Sequence, residues 1–390
     1  MRALVVAPQP FFTPRGTPLS VYHRTRVTAS LGVDVDFLTY GEGRDVDIPG
    51  VRIIRIPRIR ALEPIRVGPS VGKLILDVLM VVWTIALLTR GRYDFVHAHE
   101  EAVFWCSFLK PLFRFKLVYD MHSSLPQQLT NFGFTESRIL IGAFERLEAF
   151  ALRQADAVLT ISPALAEYAC SHQGVEPRHL LIENSLFDAV LFKGAADGDD
   201  PAPTLPNIPE RAPVIGYAGT FETYQGIDLL IHAHARVLES IPDAILLLVG
   251  GSPSQLAEHQ ELARRLDIAE ACRFTGTVPQ EAARTLMARA SVVVSPRTRG
   301  TNTPLKIYEI LSRDVPLVAT DIPSHTQVLT ADVCFLADPE PEAFARTLVE
   351  ALEDEARRRS VVEGARRLYV DCYSPEQYEA KMRHLLTLVS

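Results

Sequence analysis

SVVVSPRTRGTNTPLKIYEILSRDVPLVATD, residues 291–321, opens on a continuous apolar strand and crosses a polar loop that contains one glycine. It then returns through a helical pattern to a second apolar strand at 316–321. That order of strand, helix and strand suits a parallel sheet covered by helices. The first strand ends at Ser295 and Pro296, and the spacing predicts Thr303 as N-cap with Pro304 at the first helical position. A helix start offers free N–H groups and partial positive charge, and Arg297, Arg299 and Lys306 are expected to converge on it. Three cations at such a place suit a diphosphate. Lys306 and Glu309 are three apart and share a helix face. They could form an ion pair, or Lys306 could take phosphate while Glu309 accepts from ribose hydroxyls.

The same alternation extends outward along the chain. Strands are predicted at 214–220, 244–250, 272–278 and 333–338 in the second half, and at 4–8, 34–40, 52–57, 95–99, 116–122, 157–162 and 180–184 in the first. Continuous apolar strands suit a parallel sheet covered on both faces, so the expected class is α/β and doubly wound. Residues 194–213, GAADGDDPAPTLPNIPERAP, carry five prolines and no period, and read as a linker. The expected domains are therefore 1–193 and 214–370. A final helix in 371–390, capped at Ser374, is expected to pack back on the first domain. Two such domains facing a central cleft would bind ligand at the carboxyl ends of their strands.

A length of 390 residues fits two cores, and 47% apolar with 22% charged residues is ordinary for a globular chain. The net charge of −7 argues against nucleic acid as a partner. Five scattered cysteines without a C-x-x-C pair suggest a reducing compartment. MRALVVAPQP lacks the order of a signal peptide, and a cytoplasmic location is expected. In VGKLILDVLMVVWTIALLTR (71–90), the unbroken apolar or neutral stretch runs only from Val78 to Thr89, too short to span a bilayer of about 30 Å. A buried helix and an interfacial one both fit. Arg52, Arg55, Arg58, Arg60, Arg66 and Lys73 lie just upstream against the single acid Glu63, and residues 104–116 are again basic and apolar. That composition favours peripheral contact with an anionic membrane.

In the first half, Gly16 and Thr17 precede a predicted helix. His122 closes a strand and opens a polar loop. His99 also ends a strand, followed by Glu100 and Glu101; these neighbours point to alternate sides, so acceptor contacts or capping are expected rather than a metal site.

Four segments in order carry a resemblance: GYAGTFETYQGIDLLI (216–231), LLLVGG (246–251), RFTGTVPQEAARTLMARASVVVSP (273–296) and TPLKIYEILSRDVPLVAT (303–320). Together they resemble the donor domain of family 4 glycosyltransferases of group 1 type, retaining enzymes of GT-B fold. The resemblance implies transfer of a sugar from a nucleoside-diphosphate sugar to a hydroxyl acceptor, lipid-linked or glycan, without metal or other cofactor. It implies a ribose role for Glu309, a place near the transferred sugar for His122, and approach of donor to the turn at Gly16 and Thr17. The donor base would meet backbone near Gly250, Gly251 and Val278, and the diphosphate the turn at Gly219. The chain departs from the family in two places. The first of two family glutamates is replaced by Thr301, for which Thr301, Asn302 and Thr303 are the substitutes, ahead of Pro304 and Leu305. Thr220 and Gln225 stand where the family places two cations, so Arg297, Arg299 and Lys306 are expected to compensate. His122, Lys306 and Arg297 are the expected catalytic residues; His99 and Glu100 face the acceptor. A soluble acceptor, a sugar-nucleotide epimerase or a non-catalytic binding protein are the other readings of such a chain.

Overall fold

The computed structural model describes residues 1–12, 16–63, 65, 70–126, 137–172, 174–183 and 207–390. The linker expected at 194–213 lies outside these residues up to position 206. Two compact units result, Met1–Leu186 with Pro375–Ser390, and Phe187–Ser374.

The first unit holds a parallel sheet of seven strands: β1 (Arg2–Ala7), β2 (Asp34–Thr39), β3 (Val51–Arg55), β4 (Phe95–His99), β5 (Lys116–Met121), β6 (Ala157–Thr160) and β7 (His179–Leu181). Their spatial order is β3-β2-β1-β4-β5-β6-β7. The second unit repeats the plan with β8 (Val214–Ala218), β9 (Ile245–Val249), β10 (Cys272–Gly276), β11 (Val292–Ser295), β12 (Leu317–Thr320) and β13 (Phe335–Ala337), ordered β10-β9-β8-β11-β12-β13. Every residue of β4, β9 and β11 is buried, as strands covered on both faces must be. Both orders reverse direction once, at β1/β4 and at β8/β11. Such switch points open a crevice at the carboxyl ends of the strands. His99 ends β4 and the loop to Lys306 leaves β11, so the residues in question stand at these two places.

Glycine is required where two loops of the second unit touch. A Cβ on Gly250 (φ 119°) would lie 2.0 Å from the Gly219 carbonyl oxygen, and one on Gly226 (φ 74°) 1.9 Å from that of Pro296. The second contact presses the Thr223–Gln225 turn against the start of the 297–304 loop.

Three local expectations are corrected. The helix after β11 is Leu305–Leu311, with Pro304 rather than Thr303 at the N-cap and no capping side chain. Pro304 has an extended ψ of 132°, so it ends the loop instead of opening the helix. Gly16 and Thr17 are the first residues of helix Gly16–Ser30 and do not precede it. The helical stretch at 71–90 is one helix of 20 residues, capped by the Ser70 hydroxyl. At 1.5 Å per residue that is about 30 Å, long and apolar enough to cross a membrane by length and composition. Its Leu76, Met80, Thr84 and Leu88 are nevertheless built into the core of the first unit.

Candidate functional site

The loop from β11 to helix Leu305–Leu311 is pinned from several sides. Ser295 Oγ meets His325 Nε2 at 2.9 Å, and the Thr320 hydroxyl donates to the Arg297 carbonyl at 2.5 Å. Thr298 N–H donates to the Tyr224 carbonyl at 2.9 Å, and the Gln327 amide to the Thr301 carbonyl at 2.9 Å. Arg297 turns inward, its Nη1 donating to the Asn302 carbonyl at 2.8 Å and its guanidinium 5.0 Å from the Tyr224 ring centre.

Lys306 is the second residue of helix Leu305–Leu311, its ammonium 4.0 Å from the centre of the Tyr217 ring. Its Nζ is buried and has no hydrogen-bond partner among the described residues. Burial, with the nearby Arg297 cation, pulls its pKa from 10.5 down to about 7. A buried cation without a counter-ion is costly, and such groups cluster where an anion is to be bound.

The Lys306–Glu309 ion pair does not form. Glu309 Oε1 is taken by Arg313, one turn on, at 2.6 Å and by Arg284 of the separate helix Gln280–Met287 at 3.4 Å. A cavity of about 200 Å³ lies between, lined by Lys306, Glu309, Arg284 and Arg313 over the floor of Ala218 and Val294. Arg299 does not join the other two cations; it is exposed. The charge expected from three cations therefore rests on Arg297 and Lys306. Thr303 is buried with its hydroxyl unpartnered among the described residues, while Thr301 is exposed. Thr220 and Gly219 are exposed, and the Gln225 amide oxygen is buried without a partner among the described residues. Gly251 is pressed against the Phe221 ring, a packing reason for glycine there. Val278 is half-buried against the core.

In the first unit, β4 and β5 run in register with His99 beside Asp120. His97 and His99 share one face of β4, and Asp120 and His122 one face of the β5 segment, because side chains alternate. His97 Nε2 stands 2.9 Å from Asp120 Oδ2, His99 Nδ1 3.2 Å from the same oxygen and 3.2 Å from His122 Nε2. His122 Nε2 is 3.4 Å from Asp120 Oδ1. Burial holds the His122 pKa down to about 4 and that of His99 well below the usual range, so both are neutral at pH 7. Glu100, in a left-handed backbone conformation (φ 50°), accepts from Ser123 Oγ at 3.0 Å, and burial beside Glu101 raises its carboxyl to about 8. A strained non-glycine residue at a strand end is a mark of a functional place. His97, His99 and Asp120 hold ligand atoms within 4.8 Å of one another, a spacing a cation could bridge. Both Asp120 oxygens, however, already meet Arg24 Nη1 at 2.5 Å, which puts a positive charge there.

Two family models divide the chain: the "Glycosyl transferase 4-like domain" matches residues 16–184 and "Glycosyl transferases group 1" residues 203–368. The chain belongs to the family 4 glycosyltransferases of group 1 type. This glycosyltransferase is 25% identical over 377 residues to D-inositol 3-phosphate glycosyltransferase of Kribbella flavida, covering 90% of this chain and 85% of that one. It is 24% identical over 378 residues to phosphatidyl-myo-inositol mannosyltransferase of Mycobacterium tuberculosis, covering 93% and 90%. Among solved structures, Anabaena HepE in complex with UDP and glucose superposes with a TM-score of 0.69 at 18% identity, covering 99% of both chains. The architecture of the glycosyltransferase is thus GT-B, two Rossmann-like domains.

Four residues of the glycosyltransferase's sites escape a reading of the motifs alone: Tyr217, Asp120, His97 and Arg24. A signal for three of them was present. Asp120 and His97 are polar at every second place in otherwise apolar strands, in step with His122 and His99. Tyr217 is the aromatic residue of a strand that ends at a glycine turn.

Proposed function

We propose that this glycosyltransferase binds a nucleoside-diphosphate sugar in its second domain and transfers the sugar, with retention, to a hydroxyl of a lipid-linked or membrane-held acceptor. The ammonium of Lys306, buried and without a hydrogen-bond partner among the described residues, carries the reading of the donor. A diphosphate would supply the counter-charge that Lys306 lacks, with Arg297 beside it. The same two cations would stabilise the charge that grows on the leaving diphosphate, a task that calls for no metal. Glu309 would accept from ribose hydroxyls at the cavity it shares with Lys306. The neutral His122 imidazole would serve the transferred sugar, and His99 with Glu100 the acceptor. No pair of carboxylates in double-displacement arrangement stands in these motifs, in keeping with acceptor deprotonation by the leaving phosphate on the same face.

The membrane half of the reading rests on helix Val71–Arg90. Val71, Leu74, Val78 and Val82, between 53% and 72% exposed, form a stripe on its outer side, and Phe108 and Leu112 of helix Ala102–Phe113 add to it. The basic flank contributes less than its composition suggests. Arg52 pairs with Asp36, Arg55 with Asp45, Arg58 with Glu63 and Lys73 with Glu101. Peripheral attachment at the cytoplasmic face would thus be driven by apolar insertion, with charge secondary.

The test is a panel of uridine, guanosine and adenosine diphosphate sugars read by thermal shift, on wild type and Lys306→Ala. One donor is expected to raise the wild-type midpoint and to leave Lys306→Ala unmoved. Equal shifts in both would remove Lys306 from the donor site. Turnover of that donor with and without glycolipid vesicles then separates a membrane-held acceptor from a soluble one.

A further inference from the structure

Arg24 is only 1% exposed and is the largest fully buried side chain among the described residues. It projects from helix Gly16–Ser30 and ties three other segments together. Nη1 holds both oxygens of Asp120, Nη2 donates to the Ile182 carbonyl at 2.9 Å, and Nε donates to the Tyr378 hydroxyl of the C-terminal helix at 3.3 Å. On its other side, the same carboxylate faces the imidazoles of His97, His99 and His122. One negative charge is therefore contested by one guanidinium and three rings.

We propose that Arg24 is a positioning residue which, backed by Tyr378, reserves the charge of Asp120 for itself and so keeps His122 and His99 neutral and oriented. Buried ion pairs seldom stabilise a fold more than apolar packing of the same volume would. A pair kept beside three imidazoles has a further consequence. With Arg24 present, the Asp120 charge is cancelled and the His99 and His122 rings gain little by taking a proton. Without Arg24, a buried carboxylate is left over, and the nearest way to cancel it is an imidazolium. The other groups around the cluster do not supply that charge. Glu100 is held toward its neutral form against Ser123. Beyond Tyr378, Glu183 is paired with Lys381 at 2.7 Å, and the His23 ring packs 4.9 Å from the Tyr378 ring. The C-terminal helix thereby reaches the strand-end histidines through two side chains. The inference rests on the reading of His122 above only for its consequence in catalysis.

The test is histidine titration by nitrogen-15 NMR on the full chain, alongside the pH profile of kcat/KM. In wild type, His122 and His99 are expected to stay neutral from pH 5 to 8. In Arg24→Gln, one of these two rings is expected to titrate at least one pH unit higher, and the acid limb of kcat/KM to move with it. Arg24→Lys keeps the charge and is expected to restore most of the wild-type titration. A residue that merely staples the fold would lower the melting temperature and leave the titration where it was. If Arg24→Gln does not fold, Tyr378→Phe, which removes only a hydroxyl, is expected to move the same ring in the same direction by a smaller step. A folded Arg24→Gln with wild-type titration, or failing that a Tyr378→Phe with wild-type titration, overturns the proposal. A shifted titration with an unshifted rate profile upholds Arg24 and overturns the role given to His122.

Discussion

Lys306 is a cation buried against Tyr217 with no ion-pair partner among the described residues, and this has two measurable consequences. Its pKa falls from 10.5 in the unfolded chain to about 7 in the folded one. Between those values the unfolded chain binds the extra proton, so stability of the ligand-free protein rises with pH across that window. Below pH 7 both states are protonated and the full penalty remains. Lys306→Met is therefore expected to raise the melting temperature of the ligand-free protein at pH 6–7 and to flatten its rise above pH 7, as calorimetry would record. The same change should weaken nucleoside diphosphate binding about 10- to 100-fold, the worth of a charge-assisted hydrogen bond of roughly 1.5–3 kcal/mol. A bound diphosphate pushes the ammonium back toward its ordinary pKa, so binding above pH 7 takes up a proton. Affinity should then fall as pH rises from 7 to 9, by up to about tenfold per unit, and calorimetric titration in buffers of different ionisation enthalpy would detect the uptake. A pH-independent affinity would mean the anion sits elsewhere. Much of this site is legible from residue types at a strand–loop–helix junction. Arg299 shows where that reading fails: three cations within ten residues share a sequence window, yet the loop turns Arg297 inward and leaves Arg299 in solvent.

At the scale of elements, the strands were the readable part. Each predicted apolar run overlaps one of β1 to β13, and the ends differ by no more than three residues, the largest difference falling at β7, where the run expected at 180–184 meets a strand of His179–Leu181. Helix boundaries were harder because they depend on caps. Thr303 has the right chemistry for a cap, but its hydroxyl is buried and the chain stays extended through Pro304. The helix Val71–Arg90 exceeded the apolar run that announced it, because Ser70 caps it and Lys73 and Asp77 are held by Glu101 and Tyr40 on the inner side. Composition could not show that pairing, nor that it consumes the basic flank. The outer stripe is then the feature to test. Leu74→Glu with Val78→Glu alters only exposed positions, so the melting temperature should change little. Each large apolar side chain contributes about 1.5–3 kcal/mol when buried, so vesicle affinity should fall tenfold or more in sedimentation assays. Binding of the wild type should weaken only slightly at high salt. A steep salt dependence with an unaffected double variant would shift the contact back to the basic residues.

At the scale of the whole molecule, the chain makes two units of which the first is not contiguous in sequence, since Pro375–Ser390 belongs with residues 1–186. A capped helix near 374–388 is visible in the sequence, but its seat is set by Arg24, 354 positions away, and no local period encodes that. The helix is more than a trailing element. Tyr378, Met382, Leu385 and Val389 are at most 5% exposed. At about 1.5–3 kcal/mol per buried side chain, these four contribute an amount comparable with the roughly 5–15 kcal/mol that holds a domain together. Truncation after Ser374 also strips the Tyr378 hydroxyl from Arg24 and the Lys381 ammonium from a Glu183 carboxylate that is 7% exposed. The first unit should then lose its cooperative melting transition. The second unit, with its own core around Leu246, Val294 and Val318 and with Arg297, Lys306 and Glu309 all inside it, should keep both its transition and its nucleotide binding. Calorimetry of the truncated chain with and without a nucleoside diphosphate reads both at once. Loss of nucleotide binding along with the first transition would show that the two units do not fold independently. Two intact transitions would mean that the C-terminal helix contributes far less than its burial implies.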